Sequence, residues 1–94
     1  MIRDNLIEAV EIFKNHKFGS KTATAQARAK ANADRFKQSI STLPDDLRDV
    51  MKNLWLCEYY IHDEKYKSQV KELRARRKQI MDFIDDQIKS IIWP

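Results

Sequence analysis

A chain of 94 residues with 18 Lys+Arg, 14 Asp+Glu, one Gly, two Pro and a net charge of +4 has room for one domain, 1–94, and removes only about 60–65% of its unfolded surface from water on folding. A large enzyme is excluded, and a self-association surface or a partner is expected to contribute to stability. One Gly and two Pro cannot supply the turns of a sandwich or barrel, so the expected class is all-α. No run approaches the ~18 apolar residues of a membrane span, and Met1-Ile2-Arg3-Asp4-Asn5 does not open a secretory signal, so a cytoplasmic location is expected. A single cysteine, Cys57, allows neither an intramolecular disulfide nor a Cys-cluster zinc site.

The first helix is predicted to open at Asp4, a capping residue, and to carry Leu6, Ala9, Val10 and Phe13 on one stripe, with Ile2 a turn earlier. It ends near His16, before the only glycine, Gly19. The second runs from Thr22 or Thr24 to about Ser41. Alternating alanines from Ala23 to Ala33 superficially suggest a strand, but alanine is the best helix former and a poor strand former. Ala29, Ala33, Phe36, Ile40 and Leu43 follow the spacing of a buried seam, small at one end, so another helix can approach closely there.

Pro44 with Asp45 and Asp46 marks the clearest boundary, because proline lacks an interior N–H and the carboxylates suit a helix N-terminus; Thr42 and Asp45 form an expected capping pair. From Asp45 to Trp93 there is neither Gly nor Pro. Leu47, Val50, Leu54, Cys57 and Ile61 make one seam, widened by Met51, Trp55, Leu56 and Tyr60, so Leu54 to Ile61 is expected to be buried over most of its circumference. Tyr66, Val70, Leu73, Ile80, Ile84, Ile88 and Ile91 form a second stripe, into which Arg77 falls. The two halves could be one long helix or two broken at His62-Asp63-Glu64-Lys65; a compact chain of this length favours the break. The expected architecture is a compact three- or four-helix antiparallel bundle.

Charge is segregated along the chain. Residues 14–37 hold seven Lys and Arg against Asp34 alone, and residues 65–79 hold seven against Glu72 alone, while the intervening stretch is acidic. Lys67, Lys71, Arg74 and Lys78 are spaced to form one basic stripe of about 16 Å if helical, a length that matches several phosphate spacings of a nucleic acid. Arg76 and Arg77 flank it, Tyr59, Tyr60 and Tyr66 are candidate stacking platforms, and Arg28 and Arg35 mark a basic row on the second helix. The alternative is a solvated face with Lys71 and Arg74 held in local pairs to Glu72. At the C-terminus, Ile91-Ile92-Trp93-Pro94 is apolar: Ile92 and Trp93 either dock on the bundle or form an interface.

Catalytic and cofactor chemistry finds little support. Cys57 and His62 fall about 140° apart on a helix, unsuited to a shared metal. Asp82, Asp85 and Asp86 share a helical face that could hold Mg²⁺ but reads equally as solvated carboxylates. Gly19 alone cannot form a phosphate loop, and Cys57 lies on an apolar seam rather than beside a base. No enzyme activity, metal or cofactor is expected.

The segment from Arg35-Phe36 through Leu43-Pro44-Asp45-Asp46-Leu47-Arg48-Asp49-Val50-Met51-Lys52-Asn53-Leu54-Trp55 resembles part of a small helical type II-C anti-CRISPR protein of phage: a Phe, a Leu-Pro turn, Arg next to an acid, an aliphatic-Lys pair and Leu next to an aromatic. The basic run Arg74 to Lys78 has no counterpart there. The resemblance implies a phage-encoded inhibitor that docks on an RNA-guided nuclease and blocks DNA engagement. Three functions are therefore carried forward. They are an inhibitor docked through Lys67, Lys71, Arg74, Arg76, Arg77 and Lys78 on an acidic or phosphate-bearing surface, a direct nucleic-acid binder using the same stripe with Arg28 and Arg35, and an oligomeric structural or adaptor subunit.

Overall fold

The computed structural model describes residues 2–19 and 21–92, and the side chains of 3–19 and 21–90. Four helices follow in order: α1 (Ile2–Asn15), α2 (Ala23–Ser41), α3 (Asp45–Ile61) and α4 (Val70–Ile92), with a 3₁₀ segment, Glu64–Gln69, before α4. The described residues contain no strand. The all-α bundle is as expected, and it measures 43 × 29 × 19 Å, about two helix diameters thick.

Local chemistry places each boundary. Thr22 caps α2, its hydroxyl accepting from the Ala25 N–H at 3.1 Å, which satisfies one of the first-turn donors that have no partner within a helix. Gly19 between α1 and α2 sits at φ +76°, a conformation that disfavours any residue with a Cβ. Helix α1 begins earlier than the sequence suggested, at Ile2 rather than Asp4, so Asp4 lies in the first turn, where its charge still suits the helix dipole. The expected Thr42–Asp45 capping pair does not form. Pro44 is the N-cap of α3 and makes no side-chain cap bond; the Thr42 hydroxyl instead accepts from Asn5 Nδ2 at 2.6 Å, and Asp45 pairs with Arg48 one turn along.

Two sequence-adjacent pairs build the bundle. The Asn5–Thr42 bond ties the start of α1 to the end of α2, so these two run antiparallel. Helix α4 folds back on α3: Arg77 Nη1 donates to Glu58 Oε2 at 2.5 Å, while Val50 and Asn53 share a surface groove with Gln79 and Ile80. The turn that allows this breaks the chain where the polar stretch was expected to break it. His62 ends α3, the Asp63 carboxylate accepts from the Lys65 N–H at 3.0 Å, and Tyr66 leaves helical geometry at φ −107°, ψ 16°.

The core is drawn from all four helices: Leu6, Ala9, Val10, Ile12 and Phe13 from α1, Phe36 and Ile40 from α2, Leu43 from the following turn, Met51 and Leu54 from α3, and Ile84 from α4. Leu6, Met51, Leu54 and Ile84 are fully enclosed, each stabilising the fold by about 1.5–3 kcal/mol through transfer from water. The expected seam of α1 is thus correct. The stretch Leu54 to Ile61 is buried over part of its circumference: Leu54 and Cys57 are enclosed and Trp55, Tyr60 and Ile61 half-buried, but Leu56 and Tyr59 remain 45% and 54% exposed.

Candidate partner-binding surface

Helix periodicity divides the basic residues of the second cationic block into three groups. Lys71, Arg74 and Lys78, at i, i+3 and i+7, project from one flank of α4 and are all exposed, spanning about 10 Å of helix. Lys67 is exposed too but sits on the 3₁₀ segment, so the stripe is not the continuous α-helical row that its spacing implied; the non-helical Tyr66 intervenes. Arg76 lies about 200° around the helix from Arg74 and lines the groove with Val50, Asn53, Glu72 and Gln79.

Arg77 turns inward. It is half-buried and bonded to Glu58, whose other oxygen lies 3.2 Å from His62 Nε2. A side chain committed to a bond between α3 and α4 is poorly placed for a partner. The apolar stripe into which Arg77 falls carried that signal, since a charge on a core-facing row needs an internal counterion. Lys78 pairs with Asp82 at 3.0 Å, both largely exposed, a contact of little energy that a partner can displace.

Lys67, Lys71, Arg74 and Arg76 make no ion pair with any described residue. In particular, Lys71 and Arg74 are not neutralised by Glu72, which points to a different face. Arg28 and Arg35 are exposed on α2; Arg28 stands beside Asn15 and Asn32, Arg35 beside Asn5 and Glu8. Helices α2 and α4 are not among the principal packing pairs. The structure leaves the side chains of Ile92 and Trp93 outside the described residues.

The candidate stacking aromatics fare differently from one another. Tyr60 packs on Tyr66 with centroids 4.4 Å apart, and Tyr59 stays exposed. Sequence reasoning missed a cluster at the α1–α2 turn: Trp55 meets His16, Phe18 and Phe36 at 4.6, 4.9 and 4.5 Å, and Phe18 stacks on His62 at 6.0 Å. The concentration of rings around Gly19 was the only hint.

Two titratable groups are perturbed, both by burial. The His16 pKa is lowered because burial penalises the imidazolium, and its Nδ1 has no hydrogen-bond partner among the described residues. Burial pushes the Cys57 thiol up, against the opposing pull of Arg76 and Arg77. A thiol held protonated is a poor nucleophile. Among the described residues no three His, Cys, Asp or Glu side chains gather as a metal site, and no helix is long and apolar enough to cross a membrane. Compared with protein-family models, with curated proteins and with solved structures, the chain matches none.

Proposed function

We propose that this chain is a non-catalytic binding protein, an inhibitor that docks through the exposed flank of α4 on an anionic surface of a nucleic-acid-handling complex and blocks DNA engagement. The observation that carries this reading is the set of unneutralised cations Lys67, Lys71 and Arg74, with Lys78 held only by an exposed pair. Local pairing would have made the stripe an ordinary solvated face, and for Lys71 and Arg74 that pairing is absent among the described residues. Cations left without partners steer and anchor an anionic surface. The protonation bias of Cys57 supports occupation over chemistry. Exposed Leu56, Tyr59 and Phe83 favour a protein surface over bare nucleic acid, because apolar and aromatic anchors are what protein interfaces bury. The resemblance around Leu43 to Trp55 supports an RNA-guided nuclease as that complex, met in the cytoplasm of a host cell by a phage-encoded chain.

The test is DNA cleavage by a type II-C RNA-guided nuclease with and without this protein, run beside anisotropy of labelled single- and double-stranded DNA at low and near-physiological salt. Slowed cleavage that is restored by the R74E/K71E/K78E variant is expected, with only weak binding of DNA alone. An unchanged cleavage rate with excess protein would remove the inhibitor reading. Binding of bare DNA that falls steeply with salt and vanishes in the variant would replace it with direct phosphate contact.

A further inference from the structure

The corner where α1 passes into α2 is cationic and carries no acid. From Ile12 to Ala33 the chain has five Lys and Arg and no Asp or Glu, and the α1–α2 turn closes that stretch around an open cavity of about 330 Å³. Asn15, His16 and Lys17 line it from the end of α1 and the turn, and Thr24, Arg28 and Asn32 line it from α2. The three α2 residues are spaced four apart, so they stand in one row on the helix. Ala25 and Ala29, also in the lining, are too small to fill the space. Asp63 and Glu64 line the neighbouring cavity beside Trp55 and not this one.

The donors at this corner are idle. The side chains of Asn15, Arg28 and Asn32 make no hydrogen bond or ion pair with any described residue, although Asn32 is half-buried. The enclosed Nδ1 of His16 likewise has no partner among the described residues. The Thr22 hydroxyl already serves the Ala25 N–H, so recognition here rests on side chains rather than on the helix end.

We infer that this cavity binds a small phosphate monoester, the Arg28 guanidinium and Lys17 ammonium meeting the phosphate oxygens while the Asn15 and Asn32 amides hydrogen-bond the remaining oxygen and the hydroxyls of the attached group. Two cations without a neighbouring acid match a dianion. A phosphate monoester carries about −1.5 to −2 charge at pH 7 and three strong acceptor oxygens, whereas a carboxylate or a phosphodiester offers a single charge. The planar fork of Arg28 can grip two phosphate oxygens at once, and an amide both donates and accepts, which suits hydroxyl groups. The volume lies at the lower end of the range of small-molecule sites, fitting a ligand of metabolite size. No residue of α3 or α4 lines the cavity, so the inference does not depend on the reading of the α4 flank.

NMR titration of isotope-labelled protein with glycerol phosphate and with inorganic phosphate tests it, at near-physiological salt and about pH 7.5, where the monoester is doubly charged. Both are expected to shift the side-chain amides of Asn15 and Asn32 and the Arg28 Nε–H saturably, and the singly charged acetate and dimethyl phosphate to bind more weakly. Arg28→Gln, at an exposed position that leaves the fold intact by circular dichroism, should weaken glycerol phosphate about tenfold. Asn32→Ala leaves every charge in place and should weaken it about fivefold. Lys37→Gln removes the same charge as Arg28→Gln but outside the cavity, and should change the affinity less than about twofold. No saturable shift with glycerol phosphate would overturn the proposal, as would equal weakening by Arg28→Gln and Lys37→Gln, the mark of attraction to net charge alone. Tighter binding of acetate or dimethyl phosphate, or of duplex DNA at the same resonances, would overturn it too, the last by assigning Arg28 to a nucleic-acid contact.

Discussion

Glu58→Gln removes one charge and almost no volume at the point where α3, α4 and the intervening turn are joined. The Glu58 side chain is 15% exposed and that of Arg77 33%, so the pair lies between two well-characterised limits. Exposed ion pairs contribute about 0.2–1 kcal/mol, and breaking a fully buried pair costs about 3–5 kcal/mol. Discounted for the solvent that reaches Arg77, the loss should be about 2 kcal/mol, because a half-buried guanidinium is left without its counterion. For a domain of this size that lowers Tm by about 10 °C. The assay is a double-mutant cycle of Glu58→Gln and Arg77→Met in urea unfolding followed by circular dichroism, the methionine preserving the apolar stem. A coupling of about 1–1.5 kcal/mol is expected. Coupling below ~0.3 kcal/mol, the level of independent sites, would refute the assignment of Arg77 to the α3–α4 junction and return it to the partner-facing surface.

Leu54→Ala, at a fully enclosed position, should destabilise the protein by about 2–5 kcal/mol in the same unfolding assay, a large part of a total near 5–15 kcal/mol. Thr22→Ala removes the α2 cap and should cost about 1 kcal/mol, whereas Lys78→Ala, at the exposed Asp82 pair, should change stability by less than ~0.5 kcal/mol. Because the folded state lowers the His16 pKa, its stabilising contribution is complete above the ordinary value of 6.5 and is lost progressively as pH falls below that value toward the lower folded one. Unfolding free energies between pH 7.5 and 5.5 should therefore decline, and His16→Phe should flatten that decline. Alkylation of Cys57 should require a higher pH than that of an exposed cysteine, since its thiol is pushed up by burial; a rate profile by iodoacetamide equal to that of a free thiol would contradict this.

Local signals were the legible ones. Thr22, Gly19 and Pro44 act through their own backbone or the nearest turn, and each lies at the boundary where its chemistry requires one. The apolar spacing of Leu6, Ala9, Val10 and Phe13 likewise identifies a buried face, because one helix decides which side of itself is apolar. What that face meets is a property of two helices. Ala29 and Ala33 carry the same periodic signal as Phe36 and Ile40, yet they are half-buried where Phe36 and Ile40 are enclosed, so equal spacing ends in unequal cover. Leu56 and Tyr59 were misplaced for the same reason. The basic stripe failed locally at Lys67, where a constant 100° per residue was carried through a segment that takes 3₁₀ geometry. Arg77 was visible as an anomaly in an apolar row, yet its partner lies 19 positions earlier, beyond the reach of any helical repeat. For the binding surface, composition located the cations, and only their three-dimensional surroundings separated those that are neutralised from those that are not.

The order in which the helices pack also governs how quickly the chain finds its fold. Helix α1 lies on α2 and α3 on α4, partners that follow one another along the backbone, and among the principal contacts only α1 against α4 joins distant parts of the chain. Loop closure therefore costs little entropy for most of the native contacts, and such topologies fold in microseconds to milliseconds. The α1–α4 closure is the one step that must wait for nearly the whole chain, so truncating core side chains there, Ile84 first, should slow refolding only if that closure belongs to the nucleus.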